Sequence, residues 1–310
     1  MVETRLLITT HGRTDLLGRT LASLAECAFP PGFSGVTVIE NGSQRGTKSI
    51  CRGVYGDLRV EFLRSDVTNK SLALNLVMQQ ISDETLVIFS DDDIRFTPGL
   101  LHAYYQAAST TPPGRFFGGP FGCDYEVEPP EWMKPYLPLS AVGWTSDPRT
   151  FDPRSNRFYG CNWAAFSGDI KRLGGFDPNF GPGSPTGATG QESNMQRRMF
   201  FSGMQSCYVP QAMVYLFVPQ NRCSTDWTVQ RARRNGMSRG VALRNYSVPR
   251  IALQHWSNSF RLLTSTAVKW VSSPVPSSRL HFHARCDQQK ALGYFSGFRG
   301  ESTDTQRRAA

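Results

Sequence analysis

Apolar positions in the first hundred residues follow two alternating rhythms. RLLIT at 5–9 is a short unbroken apolar and β-branched run, which predicts a strand. Leu16, Leu17, Leu21 and Leu24 then recur at steps of three and four, which predicts a helix. VTVIE at 36–40 and LRVEFL at 58–63 are the next strands, and NGSQRG between them has turn chemistry at Asn41 and Gly42. Ser71 to Ile81 gives an amphipathic helix, and LVIF at 86–89 a further strand. Such alternation predicts an α/β fold with a mostly parallel central sheet flanked by helices.

The pattern then changes. Residues 106–160 are rich in Pro and Gly (PPG, GGPFG, EPPEW) and suit loops and short strands around a pocket. QESNMQRRMFFSG at 191–203 begins a helix with Glu192 in its first turn, and YVPQAMVYLFVPQ at 208–220 holds the last clear strand. From Trp227 the pattern is helical, interrupted by Pro249, Pro274 and Pro276, and the residues after Gly300 read as a disordered tail.

At 310 residues and 39% hydrophobic, the chain can bury a substantial core. No apolar run reaches the length that crosses a bilayer, and MVETRLLIT lacks the form of a signal peptide, so a cytoplasmic location is expected. The seven cysteines include no CxxC, which disfavours a disulfide framework or structural zinc. HFHARCD at 281–287 lacks a fourth well-placed ligand for a transition metal. The net charge of +9 sits mainly in the last third, with RARR at 231–234 and many aromatics. That mixture suits a membrane surface or an anionic phosphate ligand, or simple solvation, more than a nucleic-acid partner, and SNSFRLLTSTAVKWV in particular suits peripheral contact with an anionic membrane.

VIFSDDDIRFTP places three aspartates directly after an apolar strand. In an open α/β sheet ligands collect beyond the carboxyl ends of strands, where this triplet falls. Thr97, before Pro98, is expected to cap the following helix, which leaves the triplet without a structural task. Three adjacent carboxylates raise one another's proton affinity unless a cation compensates, and Mg²⁺ or Mn²⁺ with a phosphate-bearing ligand does so. In an extended segment Asp91 and Asp93 face one way and Asp92 the other. THGRTD after the first strand is no GxGxxG, and the chain has no GxxxxGK[ST], so hydride transfer and P-loop hydrolysis are poor readings.

In order, LLITTHGRTDLLGRTLASL, VTVIENGS, NKSLALN, VIFSDDDI, LGGFDPNFGPG, GQESNMQRRMFFSG and YVPQAMVYLFVPQNR resemble the inverting glycosyltransferase family 2, over roughly residues 4–240. The resemblance implies a GT-A nucleotide-sugar-binding fold over 1–240, with the nucleotide half at about 1–105 and the acceptor half at about 106–240, and a helical C-terminal extension over 241–300. It implies a nucleotide-sugar donor, with a UDP-sugar favoured, a Mn²⁺ or Mg²⁺ ion, and a glycan or lipid-linked saccharide acceptor. Thr10 and Glu40 would line the nucleoside pocket, and Asp91, Asp92 and Arg222 would serve the donor. Asp93 would hold the metal together with Asp91, and Glu192 would be the catalytic base. Asn162, Trp163 and Asp177 would lie on the acceptor side, although Trp163 suits packing equally and Asp177 suits a turn.

The chain departs from the family at Leu74, where an arginine is usual, at Gln191, the first acid of an acidic pair, and at Leu216, where a histidine can complete the metal site. A leucine ligates nothing. Two other readings stand beside transfer: a sugar nucleotidyltransferase, and a glycan-binding or assembly protein on a degenerate transferase fold.

Overall fold

The computed structural model describes residues 1–42, 46–154, 157–244 and 246–300. Two units emerge. The first comprises Met1–Asp124, Val142–Pro178 and Gly190–Phe217; the second comprises Tyr125–Ala141, Asn179–Thr189 and the chain from Val218 onward. The tail expected after Gly300 and part of the NGSQRG turn lie outside the described residues.

The first unit starts with the predicted alternation: β1 (Thr4–Thr10), α1 (Thr14–Ala25), β2 (Phe33–Asn41), the short α2 (Thr47–Cys51), β3 (Val60–Ser65), α3 (Lys70–Met78) and β4 (Leu86–Asp91). β5 (Ile94–Phe96), α4 (Leu100–Thr110), β6 (Arg115–Gly118) and β7 (Phe121–Tyr125) follow. β8 (Trp163–Phe166), α5 (Ser167–Arg172), α6 (Gln191–Phe201), β9 (Gln205–Tyr208) and β10 (Val214–Val218) come next. The main sheet runs β3-β2-β1-β4-β8-β6-β9. β1 to β4 are mutually parallel, and β8 is antiparallel to both β4 and β6.

Period-two alternation in the parallel strands builds two cores. Leu6 and Ile8 of β1, Val36 and Val38 of β2, and Leu86 and Ile88 of β4 meet Leu17, Leu21 and Leu24 of α1 and Leu101 and Tyr104 of α4. On the other face, Leu7, Ile39, Val87 and Phe89 meet Ala73, Leu74, Val77 and Met78 of α3 and Met195 and Met199 of α6. The three central β1 side chains, Leu6, Leu7 and Ile8, are fully buried, each contributing about 1.5–3 kcal/mol. Buried on both faces, β1 cannot slip register without losing both cores.

β5, β10 and β7 form a second, three-stranded sheet in which Ile94 pairs with Leu216 antiparallel. This short strand corrects two expectations. Asp92 and Asp93 form the turn between β4 and β5 rather than an extended run. Thr97 does not cap α4 with its side chain: its hydroxyl donates to the Met213 carbonyl at 2.7 Å, and the helix starts at Leu100 after Gly99.

The second unit carries the 3-10 turn Gln220–Cys223, α7 (Thr225–Leu243), α8 (Val248–Val271) and α9 (Arg279–Arg299). Pro249 sits in the first turn of α8, where its missing donor costs nothing, and Pro274 and Pro276 separate α8 from α9. α7 and α9 touch backbone to backbone. A Cβ at Gly236 would come within 2.0 Å of the Lys290 carbonyl, and one at Gly293 within 2.0 Å of the Arg233 carbonyl. No described helix is long and apolar enough to cross a membrane.

Candidate active site

Parallel pairing brings the carboxyl ends of three strands to one edge. Thr10 lies opposite Glu40, and Thr9 opposite Asp91, so β1, β2 and β4 present their last residues together. The acid triplet follows directly and is laced with cations. Arg13 donates from Nε to Asp92 Oδ2 at 3.2 Å and from Nη1 to Asp93 Oδ2 at 2.6 Å, and its Nη2 pairs with Asp92 Oδ1. Lys70, at the start of α3, pairs with Asp91.

Asp92 points inward and is fully buried. Thr10 donates to its carboxylate at 2.6 Å, and Thr20 donates to its carbonyl at 2.9 Å. The triplet therefore has a structural task after all, carried by its middle member. Burial pushes the Asp92 carboxyl up to about 6; the Arg13 charge and the Thr10 hydrogen bond oppose this, while Asp93 and Asp91 add to it. For Lys70, burial works against the charge, but Asp91 first, then Glu192 and Asp92, raise it above the ordinary lysine value. Asp93 is nearly buried, whereas the Asp91 side chain is 27% exposed and is the most open of the three.

At the end of β2, Glu40 is buried and accepts from the Thr47 hydroxyl through Oε2. Its Oε1, and Oδ1 of neighbouring Asn41, are buried with no hydrogen-bond partner among the described residues. Buried acceptors left open in this way suit the donor groups of a ligand.

Glu192 stands in the first turn of α6, half-buried, as expected from the helix pattern. It lines one cleft with Thr9, Lys70, Leu74, Phe89, Ser90, Gly160, Trp163, Phe176 and Gln191. Gly160 packs closely here: a Cβ there would lie 3.1 Å from Glu192 Cδ, and the glutamate side chain would have to shift slightly to admit it.

Two sequence motifs lock the LGGFDP loop, whose Phe176 lines this cleft. Asn75 accepts from the Phe176 amide at 2.7 Å and donates to the Phe176 carbonyl at 2.9 Å. Asn69 donates to the Pro178 carbonyl, and Arg198 donates to the carbonyls of Leu173 and Gly175. LGGFDP is thereby fixed by NKSLALN and by the helix of Glu192. Burial lowers the Arg198 guanidinium below its ordinary value, and half-exposed Asp177 nearby partly offsets this.

Asn162 is buried and fully engaged, accepting from the Tyr104 hydroxyl and donating to the carbonyls of Pro120 and Ala212. Trp163 is 1% exposed, stacked on Phe89 at 4.5 Å and edge-on to Phe176. Leu216 is buried in β10, next to Phe217, whose amide donates to the Asp93 carbonyl at 2.8 Å. Arg222 belongs to the 3-10 turn of the second unit. Sequence reasoning missed Arg13 and Lys70. Their signals are a cation just after β1 and a lysine opening the helix after β3, and only the fold gives those positions meaning.

Asp91 and Asp93 supply the carboxylate oxygens that a hard divalent cation takes. Among the described residues no group of three or more His, Cys, Asp or Glu side chains is arranged around such an ion. Two such carboxylates suit a hard cation only when phosphate oxygens and water complete its shell, and in this structure they are paired with Lys70 and Arg13.

A mostly parallel sheet whose fourth strand ends in an acid triplet, with a carboxylate-bearing helix lining a cleft beside that strand's carboxyl end, is the GT-A architecture of glycosyltransferases. The chain belongs to glycosyltransferase family 2: the profile of that family, Glycosyl transferase family 2, matches residues 6–173, more than half of the sequence. It is 26% identical over 246 residues to the succinoglycan biosynthesis protein ExoM of Rhizobium meliloti (strain 1021), covering 76% of this chain and 74% of that one. Among solved structures it resembles the mannosyltransferase PcManGT from Pyrobaculum calidifontis, in complex with GDP-Man and Mn²⁺, with a TM-score of 0.63 at 17% identity over 96% of this chain and 86% of that one. It also resembles GalNAc-T7 with UDP, GalNAc and Mn²⁺ (TM-score 0.51, 13% identity, 70% of this chain and 44% of that one). S. aureus TarS matches with a TM-score of 0.52 at 12% identity, over 95% of this chain and 55% of that one. At these identities the structures speak to fold alone. The protein is a glycosyltransferase.

Proposed function

We propose that the enzyme transfers a sugar, with inversion, from a nucleoside diphosphate sugar to a hydroxyl of a glycan or lipid-linked acceptor, with Glu192 as general base. The observation that carries this reading is the shared cleft: Glu192 faces the same space as Lys70, the partner of Asp91, at the carboxyl end of β4. The open buried acceptors of Glu40 and Asn41 suit the nucleoside, whose ring N–H or ribose hydroxyls would satisfy them. Asp91 and Asp93 would hold a divalent cation, which when bound neutralises the diphosphate as it departs. Support for Mn²⁺ with a nucleotide sugar comes from one similar structure solved with GDP-Man and Mn²⁺ and another solved with UDP, GalNAc and Mn²⁺. One carries GDP-Man and the other UDP, so the base preference of this chain is left to titration. A glycan acceptor is supported by the relative that serves succinoglycan biosynthesis.

In the transfer step Glu192 accepts the acceptor hydroxyl proton while that oxygen forms its bond to the anomeric carbon. The bond from that carbon to the diphosphate oxygen breaks, and its electron pair leaves with the nucleotide. The carboxylate position is set by α6, and Gly160 leaves the room it occupies. Asp91 and, after it, Glu192 hold the Lys70 ammonium charged against the burial that opposes it.

The test is Glu192→Gln, assayed with GDP- and UDP-sugars and Mn²⁺ against a panel of glycan acceptors. Transfer should fall by about 10²–10⁴-fold, while donor affinity measured by calorimetry stays near wild type. Near-normal transfer by this variant would remove Glu192 from the role of base.

A further inference from the structure

Helix α8 is inside out. The positions it buries are polar, Asn258 and Ser265, and its packed side reaches α9 through His255, Arg261 and Lys269. The Tyr294 hydroxyl meets His255 Nδ1 at 2.8 Å, Arg261 pairs with Asp287 at 3.6 Å, and Lys269 donates to Gln288 at 3.1 Å. The opposite side is apolar and open to solvent. Leu253, Trp256, Phe260, Leu263 and Trp270 recur at steps of three and four, with Ala267 filling the gap, and the five large side chains are 58–79% exposed. At helical periodicity they form one continuous stripe. Val271, the last residue of the helix, and Val275 just beyond it continue the exposed apolar surface at 69% and 57%.

A stripe of this length on an ordinary water-facing helix would be costly, so something covers it. Charge decides what. Between Asp226 and Asp287 the sequence has no Asp or Glu, and it carries ten Lys and Arg residues. Arg250, exposed near the start of the helix, stacks on Tyr246, and α8 itself contains no acid. A second copy docking stripe to stripe would bring two acid-free, cationic helices together. An anionic surface would complement them, and indole rings such as those of Trp256 and Trp270 favour the headgroup level of a bilayer.

We infer that α8 lies flat on a bilayer containing anionic lipid, with its apolar stripe in the acyl boundary and its basic flanks at the headgroups. The helix lies on the membrane and does not span it, in keeping with its Ser, Thr and Asn content. This inference stands apart from the transfer chemistry, because no residue of the cleft takes part.

The experiment is co-sedimentation of the full-length enzyme with extruded vesicles of phosphatidylcholine, alone or mixed with phosphatidylglycerol, across a salt series. Wild type should bind the mixed vesicles, bind pure phosphatidylcholine far less, and weaken as salt rises. The double variant Trp256→Ser with Phe260→Ser should lose about tenfold or more in partitioning, since two large apolar side chains no longer enter the acyl boundary. Both positions are exposed, so unchanged circular dichroism and melting are expected and separate lost binding from lost fold. Equal partitioning of variant and wild type, or no wild-type binding to the mixed vesicles, would overturn the inference. So would a lipid-free dimer in light scattering that the double variant dissolves, which would make a second copy the occupant.

Discussion

The carboxyl end of β4 and helix α8 depart from ordinary burial in opposite directions. At the end of β4 the fold buries charge: Asp92 is fully enclosed and Asp93 nearly so. On α8 it exposes bulk: Trp256 and Trp270 stand 69% and 79% open. The first anomaly is answered within the chain, since every buried carboxylate of the triplet has a cationic or hydroxyl partner. The second has no such answer among the described residues. A buried charge must be satisfied by the fold that buries it, because desolvation costs several kcal/mol per ion. An exposed apolar stripe leaves the fold intact and asks only for a surface.

That contrast is broken most directly at Arg13. Arg13→Ala leaves the enclosed Asp92 without its guanidinium and should destabilise the protein by about 2–3 kcal/mol, below the full value for a buried pair because Arg13 keeps 38% of its side chain exposed. Chemical denaturation measures this, and an unchanged midpoint would mean that Thr10 alone satisfies Asp92.

A smaller, pH-dependent effect sharpens the same point. The fold raises the Asp92 carboxyl from 3.8 to about 6, so it holds the proton more tightly than the unfolded chain does. The stability this contributes is whole below about pH 4 and is lost as pH rises through about 6. Asp92→Asn is uncharged throughout. Over that window the wild-type melting temperature should decline relative to that of the variant, and parallel profiles would show that Asp92 stays ionised.

The smallest effect belongs to α8. Trp256→Ser in lipid-free buffer should change unfolding free energy by no more than about 0.5 kcal/mol, as for surface positions without special contacts. A loss of several times that would show that the stripe packs against protein and would undo the contrast.

Much of this was legible in the sequence, for identifiable reasons. β1, β2 and β4 follow from their apolar runs because both faces of these strands are buried, edge strand β3 follows from the alternation in LRVEFL, and α1 and α3 follow from helical periodicity. Glu192 at the head of α6 follows from the helical pattern of the segment. β5 and β8 are three and four residues long, too short for any period, and exist through partners far along the chain. Thr97 had the chemistry of a cap, yet Met213, 116 residues away, claimed its hydroxyl. Arg13 and Lys70 were out of reach for the same reason, since the Arg13–Asp92 pairing spans 79 residues. The exposed stripe of α8 shows only as amphipathicity in sequence; which side faces water is a fact of packing.

The bond from the Phe217 amide to the Asp93 carbonyl joins a turn made early in synthesis to a strand made late. β5 pairs with β10 across the same distance, and the LGGFDP loop waits for Arg198. The ribosome therefore releases a strand-and-helix layer long before the segments that clamp the triplet. Such distant closures are slow steps in folding. For this enzyme the order of birth matters: the acids emerge in the first third of the chain, and the last contacts that fix them arrive about 120 residues later.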